Sequence, residues 1–552
     1  MLFAVQAVRR TPHSVRDLLG RLPEPAGEGR TLRSLWLLML DRRAQLEDEL
    51  AQSPNASGHI QDSIRVQLGF PIRTEGASPQ ALAHQRWELG DADEAVELAE
   101  PDPGRHARLA SELQLLQPGY ELRVPTVHYG DTSFAKMAEP VVESASAIRA
   151  MHIVTNSLPW TSSGYSIRTH SVLKAQQSAG LEITAVTRLA YPVTVGLPWA
   201  GATEVHDGVS YQRLFPKRMP RTMEERLVRQ VQMTVDLASD WHPQVLHATT
   251  NYHNALVAQA ISKELGIPWV YEMRGELEKS WVARQPRSLQ DRAQASQRFH
   301  LMRDRETEMA HAADALVVLS NVQRDSMIER GISAEKIHVV ANAVADDLLD
   351  VPRDPVAARK RLKLPVDGFW VGSVSSLLDY EGFDTLLRAV AELKSRGVDV
   401  RCALVGDGVS RADLTALAAD LGIADRVVMP GRVSQAETTD WYNALDIMTI
   451  PRRDTAVTRA VTPIKGLQAM ALGLPLVVSN LPALCEIGSD EGQGLAVPAE
   501  DPVAFADAFQ RIAEDPELAA SLSAASRVAA RGRTWSANGR KYAGIYAGLV
   551  GR

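Results

Sequence analysis

The stretch DIMTIPRRDTAVTRAVTPIKGLQAMALGLPLVVSN (residues 446–480) predicts one complete strand–helix–strand unit. Its two ends, DIMTI and PLVVS, are short runs rich in Ile and Val, as is typical of buried strands. Between them, Thr462 and Pro463 suit the N-cap and the first position of a helix. Gly473 suits the left-handed end of that helix, and Pro475 follows it. Two strands connected through a helix lie parallel in one sheet, so the stretch predicts an α/β fold.

The same alternation of apolar runs and helical stretches extends on both sides of this unit. A Pro- and Asp-rich stretch at 346–360 divides the runs into two series, and we interpret it as a linker. The runs are MHIVTN, EITAVT, QVLHATT, PWVYEMR, ALVVLS and IHVVAN, followed by FWVGSV, RCALVG, RVVMPG, DIMTIP, PLVVSN and GLAVP. They predict two consecutive doubly wound domains, with ligands at the carboxyl ends of the strands and between the domains.

The chain before residue 150 has a different character, with polar, helix-favouring stretches broken by Pro- and Gly-rich loops. Its segment WELGDADEAVEL (87–98) resembles half of a helical-hairpin repeat, but a repeat array needs about three such units. We therefore predict an irregular, mainly helical accessory region. At the other end, the spacing of Trp535–Leu549 predicts a helix that packs back on the first domain.

The composition excludes several classes of protein. A chain of 552 residues predicts about three to four domains, and a formal charge of -7 argues against a general nucleic-acid binder. Two cysteines, Cys402 and Cys485, are too few for a disulfide framework. The segment MLFAVQAVRRTPHS reverses the order of a secretory signal, and no apolar run approaches the ~20 residues of a membrane span. We expect a cytoplasmic protein, at most peripheral to the inner face of the membrane.

An anion site is predicted around the start of the 462–473 helix, because free N–H groups and the helix dipole favour a phosphate there. Lys465 lies in the first turn, where a cation is unfavourable unless an anion lies opposite. Arg452 and Arg453 follow the strand DIMTI, and arginine forks commonly bind diphosphate. Gln468 shares a helical face with Lys465 and suits ribose hydroxyls. The alternative is a well-capped structural helix with an exposed lysine.

Polar residues also follow strands in the first series. Glu272 and Arg274 come after PWVY, and an ion pair between them or with neighbours is the alternative to a functional role. His247 and His253 lie near another strand end, where a structural role is the more common one. No His, Cys or Asp cluster has the sequence spacing of metal ligands, so we predict no tightly bound metal.

Residues 150–550 resemble, in order, the retaining glycosyltransferases of family 4. The pieces of the second half that carry the resemblance are LVGDG (404–408), DRVVMPGRV (425–433), WYNALDIMTIPR (441–452), VTPIKGLQAMALGLPLVVSN (461–480) and GLAVPAEDP (494–502). Those of the first half are VLHATTNYHNALVAQAISKELGIPWVYEMRGELEKSW (245–281), ALVVLSNVQRDSM (315–327) and IHVVANAV (337–344).

The resemblance implies an α/β GT-B fold, in which two doubly wound Rossmann-like domains face each other across a cleft. The expected parts are a helical accessory region (1–130), an acceptor-side domain (148–345), a nucleotide-sugar domain (355–530) and a C-terminal helix (531–552).

The resemblance also implies a UDP- or GDP-linked sugar as the donor substrate, with no tightly bound cofactor. Arg452 and Lys465 would neutralise the diphosphate, and Glu272 and Arg274 would lie near the transferred sugar, with one of them assisting proton transfer. The residues expected to bind the donor are Gly164, Gly406, Gly408, Gly431, Arg432, Val433, Arg453, Thr462, Pro463 and Gln468.

This chain departs from the family pattern at several positions. The family's paired glutamates fall at Ala460 and Gln468, and its Arg and Lys after the first strand of the second domain fall at about Ser373 and Glu381. A subgroup has YEG and Pro-x-Lys at these places, as this chain does, and the SGYxxRT wording from Ser163 fits it too. In such a subgroup, Arg452 and Lys465 replace the missing cations.

These features predict a retaining glycosyltransferase that uses a glycan or lipid-linked acceptor, in cell-surface polysaccharide or glycoconjugate biosynthesis. In the expected mechanism the departing phosphate accepts the acceptor's proton. One alternative is a degenerate GT-B subunit that scaffolds a biosynthetic complex. A dinucleotide-dependent dehydrogenase fits poorly, because no G-x-G-x-x-G follows either first strand.

Partners other than the substrates are also predicted. The basic stretch 211–230, with interleaved Leu, Phe and Met, could contact anionic lipid headgroups, although a solvated helix start is the alternative. The region 1–130 is a candidate for docking a protein partner, and no nucleic acid is expected to bind.

Overall fold

The computed structural model describes residues 30–39, 43–52, 59–68, 70, 72, 77–124, 147–197, 200–460, 462–490 and 492–551. These residues form two compact units. The first unit holds the described residues of 1–174, 180–316 and 546–551, and the second holds those of 175–179 and 317–545. The predicted accessory region can be followed only in part, because residues 1–29 and 125–130 lie outside the described ranges.

The N-terminal part of the first unit is helical, as the sequence predicts. Its described helices are α1 (Arg30–Met39), α2 (Arg43–Gln52), α3 (His59–Gln67), α4 (Pro79–Leu89), α5 (Ala92–Leu98) and α6 (Pro103–Leu116). Helices α4 and α5 form a helical hairpin that turns at Gly90, whose φ of +95° favours glycine. A Cβ at Gly90 would lie 2.2 Å from the Ser296 hydroxyl oxygen, so the hairpin packs tightly on the α/β part of the same unit.

The strands between residues 149 and 339 form an eight-stranded sheet in the order β3-β4-β2-β1-β5-β6-β7-β8. The strands are β1 (Arg149–Val154), β2 (Glu182–Thr187), β3 (Thr203–His206), β4 (Val209–Gln212), β5 (Val245–Thr249), β6 (Trp269–Met273), β7 (Ala315–Val318) and β8 (Ile337–Val339). The helices between them are α7 (Gly164–Ser178), α8 (Met223–Trp241), α9 (Tyr252–Leu265), α10 (Leu277–Ala283), α11 (Gln290–Gln294), α12 (Gln297–Ala312) and α13 (Asn321–Glu329).

The edge hairpin β3–β4 was not predicted. Its two strands pair antiparallel, whereas β4 pairs with β2 and β1 with β2 and β5 in parallel. Asp207 and Gly208 form the two-residue turn, with φ values of +47° and +82°. Asp-Gly is a common pair for such turns. The strand β3 is only partly buried, so it lacks the apolar run by which the other strands were found.

The second unit contains a six-stranded sheet in the order β11-β10-β9-β12-β13-β14, in which neighbouring strands pair in parallel. The strands are β9 (Phe369–Val374), β10 (Val400–Val405), β11 (Val427–Gly431), β12 (Ile447–Ile450), β13 (Leu476–Ser479) and β14 (Gly494–Val497). The helices are α14 (Pro355–Arg361), α15 (Phe383–Ser395), α16 (Arg411–Asp420), α17 (Gln435–Ala444), α18 (Ala456–Ala460), α19 (Ile464–Ala471), α20 (Pro482–Gly488), α21 (Pro502–Glu514), α22 (Pro516–Arg531) and α23 (Trp535–Leu549).

Helices cover both faces of this second sheet. Successive residues of a strand point to opposite faces, and Val371 belongs to one apolar cluster while Trp370 belongs to another. The first cluster includes Phe383 and Phe505 from the helices, and the second includes Met470. The predicted class of two α/β units behind a helical N-terminal region is confirmed. None of the described helices is both long and apolar enough to cross a bilayer.

Candidate functional site

The second unit brings its candidate residues together at the point where the strand order reverses. Chain connection runs outward from β9 to β10 and β11 on one side, while β12 lies on its other side. Ligands of doubly wound sheets bind at the carboxyl ends of the two strands flanking such a point. Ser375 and Glu381 follow β9, and Arg452 follows β12. Lys465, in the first turn of α19, completes the group.

Glu381 is the centre of this group, and its importance was not recognised from the sequence. The carboxylate accepts hydrogen bonds of 3.2 Å from Nε and from Nη2 of Arg452, and Nζ of Lys465 lies 3.5 Å from its Oε1. Nζ of Lys465 also donates to the hydroxyl of Ser375. Glu381 and Arg452 are both buried, whereas the Lys465 side chain keeps 29% of its surface exposed. Two cations therefore surround one carboxylate, and one cation reaches solvent.

The pKa values of the group follow from this arrangement. Burial alone would raise the pKa of Glu381, but the charges of Arg452 and Lys465 outweigh it and lower the pKa. Burial lowers the pKa of Lys465, the nearby Arg452 acts in the same direction, and Glu381 opposes both. Glu381 is thus an anion, and the three side chains carry a net positive charge when Lys465 is protonated.

The start of α19 differs from the prediction by one residue. Pro463, not Thr462, occupies the N-cap position, and no side chain caps the helix there. The Thr462 hydroxyl is buried without a hydrogen-bond partner, while its carbonyl accepts a 3.0 Å bond from Nδ2 of Asn342. A proline N-cap has no side-chain oxygen, so the first N–H groups of α19 lack a side-chain acceptor. Gly473 ends the helix with a φ of +74°, which confirms its predicted role.

Arg453 is turned to the protein's own carboxylates. Its guanidinium lies 2.8 Å from Asp384, 3.0 Å from Glu500 and 3.5 Å from Asp379. Although burial alone would lower it, these acids raise the pKa of Arg453. The predicted grip of Arg453 on a donor diphosphate is not supported, because its charge already has three partners. The sequence could not distinguish the two adjacent arginines, whereas the fold separates them.

Gly406 and Gly408, which follow β10, are required to be glycine by the close approach of neighbouring backbone. A Cβ at Gly406 would lie 1.8 Å from the carbonyl oxygen of Ser375, and one at Gly408 would lie 2.1 Å from that of Leu377. The neighbouring backbone therefore requires glycine at both positions, whether or not a nucleotide binds. Gly406 also has a φ of +139°, which only glycine readily adopts.

The turn of Gly431, Arg432 and Val433, which is expected to bind the donor, lies beside this loop. Gly431 has a φ of +87°, and its carbonyl accepts a 3.0 Å hydrogen bond from the amide of Gly406. Arg432 is exposed and Val433 is half-buried. The turn is thus fixed at Gly431 and open to solvent at Arg432.

The family's paired glutamates are replaced here by Ala460 and Gln468. Among the described contacts of Gln468 there is no acidic side chain that could take their place. Its Oε1 accepts a 3.0 Å hydrogen bond from the hydroxyl of the buried Tyr442. The side-chain amide of Gln468 is therefore oriented by a fixed donor, which leaves its NH₂ group as the polar end. Ala460 is the last residue of α18 and supplies no functional group.

In the first unit, Glu272 forms a buried cluster with Arg168 and Arg274. Oε1 of Glu272 lies 3.0 Å from Nε of Arg168 and 2.7 Å from Nε of Arg274, and Oε2 lies 3.0 Å from Nε2 of His247. Burial alone would raise the pKa of Glu272, but Arg274, Arg168 and His247 hold it well below its usual range. Its side chain is 0% exposed, so the predicted proton transfer by Glu272 finds no support in the geometry.

Two histidines and a tyrosine extend this cluster. Nδ1 of His247 lies 2.7 Å from the hydroxyl of Tyr546, which lies 3.4 Å from Nε2 of His152. The two imidazole rings stack at 4.4 Å. Burial lowers the pKa of His247. Glu272 opposes this shift but does not cancel it. His247 is thus buried between Glu272 and Tyr546, with a hydrogen-bond partner at each ring nitrogen.

Arg274 is the member of this cluster that has an unused donor. Its Nη1 donates 3.0 Å to the carbonyl of Tyr165 and 2.6 Å to the hydroxyl of Thr169, whereas Nη2 is buried without a hydrogen-bond partner. Gly164, predicted to permit close backbone approach, begins α7, and a Cβ there would meet nothing within 4 Å. None of the described residues lies close enough to require glycine at Gly164.

A cavity of about 330 Å³ opens where α4 and α6 meet the segments after β5 and β6. The guanidinium of Arg298 lies 4.9 Å from the Trp87 ring and 5.1 Å from the Trp281 ring. The indole Nε1 of the buried Trp281, Nε of Arg298 and Nε2 of His253 have no hydrogen-bond partner among the described residues. Arg108 and Arg284 line the cavity and are exposed. The first two unpartnered atoms can only donate, so a polar ligand here must offer acceptors.

The basic stretch 211–230 is only partly available to a partner. Arg213 is buried and bonds to Ser157 and Glu204 at 2.7 and 2.9 Å. The second half begins α8, whose start carries a capping box of Thr222 and Glu225. Lys217, Arg218, Met219 and Arg221 are exposed. The predicted membrane contact stays a prediction that would rest on residues 217–221.

Two domain families match this chain. Residues 163–343 match the family described as "Glycosyl transferase 4-like domain", and residues 368–515 match "Glycosyl transferases group 1". A D-inositol 3-phosphate glycosyltransferase of Xylanimonas cellulosilytica is 29% identical over 255 residues, which are 44% of this chain and 58% of the relative. The match thus spans less than two thirds of the length of that relative.

Solved structures share the fold. A sucrose-phosphate synthase from Thermosynechococcus elongatus has a TM-score of 0.57 at 19% identity, covering 73% of this chain and 99% of the other. Anabaena Alr3699/HepE in complex with UDP-glucose has a TM-score of 0.53 at 16% identity, covering 73% and 100%. The chain therefore has the GT-B fold and carries two glycosyltransferase domains of the family 4 type.

Proposed function

We propose that this protein is a retaining glycosyltransferase that moves a sugar from a nucleotide-sugar donor to a glycan or lipid-linked acceptor. We place it in cell-surface polysaccharide or glycoconjugate biosynthesis on the resemblance of the chain alone. The observation that carries the catalytic part is the group of Arg452, Lys465 and Glu381 at the strand-order reversal of the second unit. The two cations share a single carboxylate, so the group has an excess positive charge. Such a charge suits a diphosphate.

The proposed donor site has separate parts for the separate parts of a nucleoside diphosphate. Lys465 binds the diphosphate, with the uncapped start of α19 beside it. Arg452 contributes charge while remaining bound to Glu381. The oriented amide of Gln468 binds ribose, and the turn at Gly431 and Arg432 holds the base. UDP is the first choice of nucleotide, because Alr3699/HepE binds UDP-glucose.

The proposed mechanism needs no nucleophile from the protein. As the bond from the sugar to the diphosphate breaks, negative charge grows on the leaving oxygen, and Lys465 and Arg452 stabilise it. The incoming hydroxyl attacks the same face of the sugar and passes its proton to the departing phosphate. The protein's task is to hold donor and acceptor in line. Glu272 then acts as a positioning residue, because it fixes the guanidinium of Arg274.

The donor site is tested by thermal-shift and calorimetric binding of UDP, UMP, uridine, GDP and ADP to the full chain. We expect one nucleoside diphosphate to bind at least tenfold more tightly than its nucleoside, since the diphosphate makes the charged contacts. A ligand at 100 times its Kd would stabilise the protein by about 2.7 kcal/mol. Equal binding of uridine and UDP would contradict the assignment to Lys465, and no binding of any nucleotide would favour a degenerate scaffolding subunit.

The acceptor is proposed to bind in the cavity beside Trp87 and Trp281 in the first unit. Its unpartnered donors require oxygen acceptors on the ligand. The exposed Arg284 and Arg108 favour an oxyanion, in a lining that also includes Glu88 and Glu112. The similar enzyme of Xylanimonas cellulosilytica is named for a phosphorylated compound, D-inositol 3-phosphate.

Saturation-transfer NMR with glucose 6-phosphate and glucose as probes tests this cavity. We expect the phosphorylated sugar to bind more tightly, and Arg284→Ala to weaken it by about tenfold, since a hydrogen bond to a charged group is worth about 1.5–3 kcal/mol. Arg303→Ala is the matched control, because Arg303 is an exposed arginine of α12, the helix that carries Arg298. Equal binding of the two sugars, or an equal loss in Arg303→Ala, would remove the acceptor from this cavity.

A further inference from the structure

Three potential metal ligands meet where α7 faces the β3–β4 hairpin of the first unit. His170 comes from α7, and His206 and Asp207 come from the end of β3 and the turn that follows it. One ligand atom of each residue lies within 4.8 Å of the others. This group could not be recognised from the sequence, because His170 is far from the pair His206-Asp207 along the chain.

Two of the three distances between the ligand atoms are close to those around a single bound ion. Oδ2 of Asp207 lies 3.4 Å from Nε2 of His170 and 3.7 Å from Nε2 of His206. Around a tetrahedral Zn²⁺ with bonds of about 2.0–2.2 Å, neighbouring ligand atoms are roughly 3.3–3.6 Å apart. Small side-chain rotations would therefore bring all three atoms onto one ion.

The surroundings of His170 orient its ring for metal binding. Its ring is buried, and Nε2 makes no well-formed hydrogen bond to a described residue but lies 3.4 Å from the carboxylate of Asp207. The other ring nitrogen, Nδ1, lies 2.9 Å from the hydroxyl of the buried Tyr211. With Nδ1–H donating to that hydroxyl, Nε2 carries the lone pair that faces Asp207. Ligating histidines are commonly oriented by a second hydrogen bond of this kind.

We propose that His170, His206 and Asp207 bind a divalent first-row metal ion, with Zn²⁺ as the expected occupant. Two imidazoles and one carboxylate are a donor set that Zn²⁺ accepts, with a fourth position left for water. The proposal replaces the expectation of no metal, which rested on sequence spacing alone. It is independent of the proposed glycosyltransferase activity.

The ion would link the β3–β4 hairpin to α7, the helix whose Arg168 and Thr169 contact Glu272 and Arg274. Arg168 and Thr169, immediately before His170 on α7, bond to Glu272 and Arg274. A metal at His170 would therefore hold this end of α7 against β3 and β4. The ion has a supporting role at this place, since none of the three ligands contacts the Arg168–Glu272–Arg274 cluster through a described hydrogen bond.

The test is titration of the chelator-treated full chain with Zn²⁺ by isothermal calorimetry, and with Co²⁺ by visible absorption. We expect wild type to bind one equivalent that His206→Ala and Asp207→Asn bind at least tenfold more weakly. These two side chains are partly exposed, at 31% and 59%, so both variants should fold. His300→Ala is the control, because it removes an exposed histidine outside the group.

For Co²⁺, we expect an intense visible band in wild type and in His300→Ala that is lost in His206→Ala, since tetrahedral sites absorb strongly. The proposal would be overturned if wild type bound no stoichiometric Zn²⁺. It would equally be overturned if His206→Ala and Asp207→Asn kept the wild-type affinity, because the metal would then lie elsewhere.

Discussion

Lys465→Ala is expected to lower kcat by about 30- to 1,000-fold at saturating donor, a loss of roughly 2–4 kcal/mol of transition-state stabilisation. The proposed role of Lys465 is to bind charge that grows on the leaving diphosphate, so the loss should appear in kcat more than in KM. The measurement is release of the nucleoside diphosphate from the donor that binds best in the nucleotide panel.

The surroundings of Lys465 make it the best probe of this group. Lys465 is the partly exposed one of the two cations in the group. Truncating it leaves Glu381 bound to Arg452 at 3.2 Å. Arg452→Ala, by contrast, would remove the two hydrogen bonds that hold the buried carboxylate and would confuse a loss of activity with a loss of folding. Lys465→Ala should therefore keep its fold while losing turnover.

Lys360→Ala serves as the matched control for charge, because Lys360 is an exposed lysine on α14 of the same unit. We expect its kcat to equal that of wild type. A Lys465→Ala enzyme with near-normal turnover would refute the assignment. A variant with normal kcat and a raised KM would instead limit Lys465 to donor binding.

The regular part of the fold could be predicted from the sequence because buried parallel strands have continuous apolar runs. The runs EITAVT and FWVGSV coincide with β2 and β9 residue for residue. The strand β3 was missed because none of its four residues is buried, and exposed and half-buried residues alternate along it. The apolar pattern reports burial, so a partly exposed edge strand leaves little trace in it.

The candidate site was only partly predictable, since a sequence lists charges without their partners. The convergence of Arg452 and Lys465 follows from where β12 and α19 lie in one strand–helix–strand unit. That Arg453 turns instead to Asp384 and Glu500 depends on loops far away in sequence. Glu381 was noted only as a departure from a family pattern, yet it is the residue that both cations contact.

Replacing Glu272 by glutamine is expected to destabilise the first unit by about 3–5 kcal/mol, because removing one partner of a buried ion pair leaves the others uncompensated. The amide keeps the size of the carboxylate but loses its charge. Arg168 and Arg274, whose side chains are each 3% exposed, would then lack their counter-ion. Calorimetry should show a fall in Tm of the order of 10 °C, and hydrogen exchange should rise in β5 and β6.

The pH dependence of the stability difference distinguishes the contribution of Glu272 from that of His247. Arg274, Arg168 and His247 hold its folded pKa well below the usual range, against the effect of burial. A carboxyl with a depressed pKa stabilises the fold fully above its unfolded pKa of about 4.3, and this contribution is lost as the pH falls through the folded pKa. The difference between wild type and Glu272→Gln should thus stay constant from pH 8 to about pH 5 and narrow only at lower pH.

Glu264→Gln is the control for this experiment, because Glu264 is an exposed carboxylate of α9 in the same unit. Its Tm should match that of wild type within experimental error. A difference that vanished between pH 8 and pH 6 would assign the stabilisation to titration of His247 instead. An unchanged Tm in Glu272→Gln would mean that the buried cluster contributes no net stability, and Arg274 would then lose its proposed means of being held in position.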